Sequence, residues 1–460
     1  MSQPVRALVT LSVVVSLTAC PSSGTDTTAK LDDKKSAQAD VKEKNDKKLD
    51  AKKLDAKLDT KIDAKQPYTK VDAPPPTVAP ETALALAKGM NTFAIDIHRE
   101  LGAKPGNLFV SPASMALAFA MVHAGAKGAT ADEIAKTFHL PAGETLHPAL
   151  KATLTRWSSA TGGLELAVAN RLFSEKTVTF EAPYLALTQD IFAAPLESLD
   201  FKGASADART HINLWVAKQT KDRIKDLLPA SGVTADTRLV LVNAIYFKAQ
   251  WAGGFEESQT RDEPFVGDSK TTVRMMHRVD QYRLGTAADA KARILEMTYN
   301  GGEYSMVIVL PDHPKGLADV EKALTADALD RWLTAATYTR VALGVPRFRI
   351  EPEAAIELRK PLEKLGLVTA WDASKADFTA MAPKADQLVI SEAYHKAFLA
   401  VDEAGTEAAA ATTASMTVGG APTHEPVPFV AKHPFLFLVR DTKTGTILFM
   451  GRLVKPSPAK

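Results

Sequence analysis

The chain has a single cysteine, Cys20, in 460 residues. An intramolecular disulfide is excluded, and so is a zinc site built from cysteine ligands. Compact catalytic signatures are also missing. There is no Gly-x-Ser-x-Gly nucleophile elbow, no His-Glu-x-x-His zinc pair and no Gly-x-x-x-x-Gly-Lys phosphate loop. Charge of one sign is lacking too: 56 basic and 54 acidic residues leave a net charge of +2. Such a balance gives no field that would gather nucleic acid or another polyanion. No metal, cofactor or nucleic-acid partner is expected. The longest apolar run near the N-terminus, Leu8 to Ala19, is too short for a helix that spans a membrane.

What is present divides the chain in three. Met1 to Arg6 carries one positive charge and precedes that apolar run, the layout of a secretory leader. The run ends in Leu17-Thr18-Ala19-Cys20, which resembles a bacterial lipobox. In such signals the chain is cut before the cysteine, and the thiol is diacylated. Residues 1–19 are therefore expected to be a lipoprotein signal peptide and Cys20 the lipidated N-terminus. An ordinary secretory signal with an incidental cysteine is the plainer alternative. Several acyl chains together give stable anchoring to a membrane.

Residues 20–80 read as a tether. Pro21 to Pro80 is rich in Lys, Asp, Ala and Thr, and its one aromatic residue is Tyr68. Leu49, Leu54, Leu58 and Ile62 fall near helical spacing, but one thin apolar stripe cannot offset the entropy of ordering. A disordered polyampholyte is the default. Pro74-Pro75-Pro76 and Pro80 mark the boundary. Residues 81–460 read as one folded domain, with a 45% hydrophobic fraction overall to supply a core.

Within that domain Leu86, Met90, Phe93, Ile97 and Leu101 step by three or four, predicting an amphipathic helix. Ser111 to Val122 is apolar and small, predicting a helix buried on all sides, with Gly125 and Gly128 as stops. Leu239 to Phe247 and Met306 to Leu310 predict central strands covered on both faces. Phe435 to Val439 and Thr446 to Met450 flank Asp441 to Gly445 as a hairpin. Helices and strands mix without regular alternation, so the class is α+β.

The segment Glu403 to Ser415 holds small residues with no proline, no aromatic and no charge after Glu407. At period two, Thr406, Ala408, Ala410, Thr412 and Ala414 share one face. The segment suits a strand that slides into a sheet beneath packed helices. An Ala-rich helix or a linker is the bland alternative.

The flanks bear on that choice. LVISEAYHKAFLAVDEAGTEAAAATTAS and HPFLFLVRDTKTGTILFMGRLVKP closely resemble the reactive-loop hinge and C-terminal signature of the serpins. NLFVSPASMALAFAMVHAGAKGATADEIAKTFHL is similar to the serpin helix beneath the main sheet, and LAVANRLF and LVNAIYFKAQW to two of its strands. The resemblance runs from about Glu81 to Pro456. It implies the serpin fold, with large mixed β-sheets, surrounding helices and an exposed reactive-centre loop. It implies a monomer that is not an enzyme but a suicide substrate of serine proteases, and it allows papain-like cysteine proteases as further targets. Ser111 and His395 invite a nucleophile-and-base reading. The resemblance instead places them, with Ser114 and Asn243, in a buried polar cluster where the main sheet parts.

The hinge implied by the resemblance is Glu403, Gly405, Thr406, Glu407, Ala408, Ala409, Ala410, Ala411 and Thr412. Gly405 supplies a joint, Thr406 enters the sheet first, and the alanines follow. The reactive bond falls at Gly419 or Gly420 depending on the flank counted from, with Met416 and Val418 as alternatives. This window has no Arg or Lys, which points to an elastase-like or subtilisin-like protease. The expected location is the cell envelope, lipid-anchored outside the cytoplasm, periplasmic or surface-exposed, and extracellular if released. A non-inhibitory serpin-fold binding protein is the alternative.

Overall fold

The computed structural model describes residues 9–19, 79–159, 165–267, 269–383, 388–406 and 425–456. By contacts, Met1–Cys20 and Ala73–Lys460 form one unit and Pro21–Asp72 a second. The second lies outside the described residues, as do Cys20, Glu407 to Thr412, Met416, Val418, Gly419 and Gly420.

Along the chain, strand β1 (Val9–Ala19) comes first, then helix α1 (Pro80–Leu101). Pro80 opens α1, where its missing N–H would have no partner in any case, one residue ahead of the expected boundary. Leu86, Met90, Phe93 and Ile97 are buried as the spacing predicts, and Leu101 is half-buried. Strand β2 (Leu108–Val110) leads into α2 (Pro112–His123), in which every residue through Val122 is buried. Ser111 caps α2, accepting a hydrogen bond from the Ser114 amide at 3.2 Å. Gly125 follows the end of α2 as expected, and Gly128 does not act as a stop. Gly125 sits where a Cβ would meet Met381, while Gly128, at φ +51°, begins α3 (Gly128–Thr137) rather than ending a helix.

Helix α4 (Leu146–Ser158), β3 (Glu165–Glu175), α5 (Ala182–Phe192), β4 (Leu196–Leu199) and α6 (Phe201–Gln219) follow, then the long β5 (Thr237–Gln250). Strands β6 (Arg261–Val266), β7 (Lys270–Ala287), β8 (Ala292–Thr298) and β9 (Tyr304–Pro311) run in succession. Helices α7 (Leu317–Ala323) and α8 (Ala326–Ala335) precede β10 (Thr337–Pro346), β11 (Phe348–Ile350), β12 (Ile356–Glu357) and α9 (Arg359–Lys364). The last strands are β13 (Leu388–Val401), β14 (Gly405–Thr406), β15 (Val427–Val430), β16 (Phe435–Asp441) and β17 (Ile447–Leu453).

Two sheets result. The main sheet has the order β11-β13-β1-β5-β3-β4, with β12 on β13 and β14 on β5. The second has the order β15-β10-β7-β8-β9-β16-β17-β2, with β6 on β7. In β5, Leu239, Leu241, Ile245 and Phe247 join the core that includes α2, whereas Val240 and Val242 pack with Ile212 and Val216 of α6. A strand covered on both faces has no polar side to show, which is why Leu239 to Phe247 reads as an apolar run interrupted only by Asn243. The run Met306 to Leu310 is buried throughout for the same reason, and Phe435 to Val439 pairs with β17 as the predicted hairpin.

Strand β1 is the departure from expectation. Residues 9–19, read from sequence as a leader, lie antiparallel to both β13 and β5 in the middle of the main sheet. Val13 is opposite Asn243 on one side and His395 on the other. Val and Leu suit a paired strand as well as they suit a leader's apolar core.

Candidate functional site: the hinge and the polar cluster of the main sheet

The site begins where β13 ends and the chain turns at Asp402. The amides of Ala404 and Gly405 donate to Asp402 Oδ1 at 3.0 and 3.2 Å, and the Asp402 amide donates to the Gly405 carbonyl at 3.1 Å. This is an Asx-type turn, closed by the side chain of the residue that starts it. Burial pushes the Asp402 carboxyl up to about 6, beyond what those two amides and Arg347 draw back.

Glu403, only 8% exposed, is held from two sides. Arg347 Nε donates to its Oε2 at 3.0 Å, Arg347 Nη2 donates to the same oxygen, and Thr260 Oγ1 donates to Oε1 at 2.8 Å. A buried carboxylate with a guanidinium and a hydroxyl as partners is a fixed anchor, not a mobile linker residue. Its carbonyl also accepts the Phe255 amide at 2.8 Å.

Gly405 and Thr406 then pair with Gln250 and Ala249 at the end of β5. Gly405 has φ +152°, and a Cβ there would stand 2.2 Å from the Ala249 carbonyl oxygen. Both facts require glycine. Thr406 is fully buried, and its hydroxyl lies 2.7 Å from the Tyr299 hydroxyl. Tyr299 stacks on Trp251 with ring centroids 4.5 Å apart, and Trp251 Nε1 donates to the Asp402 carbonyl at 3.1 Å. Thr406, expected to enter the sheet ahead of the alanines, is already paired in it. Its small size and single hydroxyl let it fit over Ala249 and satisfy Tyr299.

Deeper in the sheet, the structure brings the four predicted polar residues into one region. The Ser111 amide donates to His395 Nε2 at 3.2 Å, and Ser111 Oγ donates to the Leu448 carbonyl at 2.6 Å. Ser114 Oγ donates to Asn243 Oδ1. Asn243 Nδ2 donates to Asn170 Oδ1 at 2.6 Å, and Asn170 Nδ2 donates to the Phe192 carbonyl at 2.7 Å. The chain of bonds ties β17, the start of α2, β5, β3 and the end of α5. All four residues are completely buried. His395 meets the amide of Ser111 and not its hydroxyl, which is engaged elsewhere, so these two do not form a nucleophile and base. Burial lowers the His395 pKa to about 3, and the ring stays neutral with Nε2 as acceptor. Among the described residues nothing bonds its Nδ1. His395 and Asn243 belong to β13 and β5, and the backbone of β1 runs between them.

Sequence reasoning missed Asp402, Tyr299, Trp251, Arg347, Thr260 and Asn170. None lies in a spacing motif, and all but Asp402, which closes its own turn, act through partners distant in sequence. Asn170 alone carried a signal, as an amide inside the strand-like run Leu166 to Phe173. Among the described residues no cluster of three or more potential metal ligands occurs, and no helix is long and apolar enough to cross a membrane.

The six-stranded path of the main sheet runs through β1 between β5 and β13, and a buried hinge pairs with the end of β5 beside it. Comparison with known proteins agrees with the resemblance read from sequence. A family model described as Serpin (serine protease inhibitor) matches residues 88–456. Leukocyte elastase inhibitor A of Rattus norvegicus is 40% identical over 381 residues, covering 81% of this chain and 99% of the relative. Uncleaved ovalbumin superposes with a TM-score of 0.73 at 28% identity, covering 81% of this chain and all of that one. A loop-inserted, cleaved ovalbumin mutant superposes with a TM-score of 0.72 at 27% identity over the same share of each chain. The chain belongs to the serpin family. It has the α+β serpin fold and is a member of a protease-inhibitor family, not an enzyme.

Proposed function

We propose that this chain is a suicide-substrate inhibitor of elastase-like or subtilisin-like serine proteases, held at the cell envelope through a diacylated Cys20. The observation that carries the inhibitory reading is the hinge. Gly405 and Thr406 are already paired with β5, and the residues that follow are Glu407 and four alanines. A strand begun in this way can lengthen without drawing a bulky side chain under α2.

The protease serine would attack the carbonyl at Gly419 or Gly420, expelling the amine of the next residue and leaving an acyl-enzyme. Insertion of Ala408 onward between β5 and β13 would then draw the protease away before water hydrolyses the ester. The drive is backbone hydrogen bonding and apolar burial gained only after the cut. The small residues of Met416 to Ala421 and the names of relatives such as leukocyte elastase inhibitor support a target with a small primary pocket.

Anchoring rests on the sequence Leu17-Thr18-Ala19-Cys20. A cut before Cys20 removes β1 with the leader and leaves its place in the sheet free for the loop. The anchored protein would act outside the cytoplasm, with residues 21–80 as its tether. Mass spectrometry of membrane-extracted protein should find a diacylglyceryl group on an N-terminal Cys20; an unmodified mature Cys20 refutes the anchor. For inhibition, chain beginning at Cys20 is incubated with a panel of elastase-, subtilisin- and trypsin-like proteases. An SDS-stable complex with the first two is expected. Clean cleavage of the loop with no complex by any of them would leave the non-inhibitory reading.

A further inference from the structure

We propose that residues 9–19 act as an internal plug, occupying the strand position that the reactive loop needs and keeping any chain that retains them from trapping a protease. The inference rests on the inhibitory reading above.

The register carries it. Thr406 faces Ala249 of β5, so two residues further on Ala408 would face Phe247. Phe247 is already paired with Val9. Continued along β5, the loop would place Thr412 opposite Asn243 and Met416 opposite Leu239. Those partners are taken by Val13 and Leu17. β14 and β1 lie on the same side of β5, both antiparallel to it, end to end. The far edge is closed as well, because β1 pairs with β13 from Thr10 to Ala19. Loop and leader therefore compete for one set of backbone donors and acceptors, and both cannot be paired at once.

Composition favours the leader in that contest. Val9–Ala19 contains four valines, two leucines and two threonines, with no charge, proline or glycine. Val and Thr suit strands better than the alanines of residues 408–411. The leader is also in place before the protease arrives. An acyl-enzyme formed on a plugged molecule would hydrolyse while the plug still holds, and the chain would be spent as a substrate. Removal of residues 1–19 then does two things at once: it frees Cys20 and opens the sheet.

The test uses the full chain carrying Cys20→Ser, which retains its leader, and the same chain with Val13→Pro added. Proline lacks the amide that a central strand must donate and is excluded from such a position whichever way a side chain points. Hydrogen exchange of amides 9–19 reads occupancy directly. Protection in the parent and its loss in the proline variant are expected; unprotected amides in the parent overturn the plug. Trapping reads the consequence. The parent should be cleaved by an elastase-like protease without an SDS-stable complex, and the Val13→Pro chain should form one, with several-fold fewer molecules consumed per protease inactivated. A protease complex formed equally well by both chains also overturns the plug. If amides 9–19 are protected only in the parent and neither chain traps, the plug stands and the inhibitory reading falls. A proline variant that unfolds cooperatively, and melts higher after loop cleavage, excludes misfolding as the cause of any difference.

Discussion

Thr406 is the residue on which the mechanism turns. It is fully buried against Ala249, with its hydroxyl on Tyr299, so a cation there would be forced out of water. Thr406→Arg should expel β14 from the sheet and place a desolvation penalty of several kcal/mol, to order of magnitude, before insertion. The loop would still be cut, the acyl-enzyme would hydrolyse, and the ratio of inhibitor consumed to protease inactivated would rise steeply in chain beginning at Cys20. An unchanged ratio would show that the hinge does not insert in this register. Glu407→Arg, on the opposite face of an extended strand, should be milder. Asp402 gives a second residue-scale outcome. Its carboxyl is raised from 3.8 to about 6 by burial, so the folded state holds its proton more tightly than the unfolded chain. The stability this confers is present below the unfolded value and is lost as pH rises from 3.8 to about 6. Asp402→Asn keeps an oxygen for the Ala404 and Gly405 amides and removes the ionisation. It should raise the melting temperature near neutral pH and flatten its pH dependence across that window.

At the scale of elements, the polar chain from Ser111 to Phe192 spans the junction between α2 and the main sheet. Asn243 sits at its centre, accepting from Ser114 and donating to Asn170. Asn243→Ala would leave both partners buried without it, a loss of about 1–3 kcal/mol for each group left unsatisfied. Chemical denaturation should show that loss with an unchanged slope; a neutral effect would mean that the cluster rearranges freely. Which elements were readable follows from the same packing. Runs buried on both faces, such as Leu239 to Phe247 and Ser111 to Val122, announce themselves by the absence of charge, with Asn243, Ser111 and Ser114 as their polar exceptions. The hinge announced itself by small size and by family resemblance. Strand β1 did not, because an apolar run of that length has the same composition as a leader and pairs only with strands more than 200 residues away. The anchors of the hinge were hidden for a related reason: Arg347, Tyr299 and Thr260 precede Glu403 by long stretches of chain, and nothing local marks them. Gly128 was legible as a punctuation mark but not as the start of α3 instead of the end of α2.

For the whole molecule, the outcome depends on which segment fills the main sheet. Chain that begins at Cys20 should carry an open place between β5 and β13. Cleavage within Met416 to Ala421 should then raise its melting temperature well beyond that of the intact form, because a new central strand adds a ladder on each side. The full chain with its leader should show little rise, since β1 already supplies that strand. Differential scanning calorimetry before and after loop cleavage separates the two; no rise in either would mean that the loop does not insert.

The stack of Trp251 on Tyr299 gives the molecule an optical readout of its own. The indole donates to the Asp402 carbonyl, and its stacking partner bonds Thr406. Any movement of the hinge must disturb the polarity and contacts of that one indole. The other four tryptophans are at positions 157, 215, 332 and 371, outside the hinge turn. Intrinsic emission should therefore follow hinge withdrawal in real time, and Trp251→Phe should silence the change while the remaining four still report unfolding.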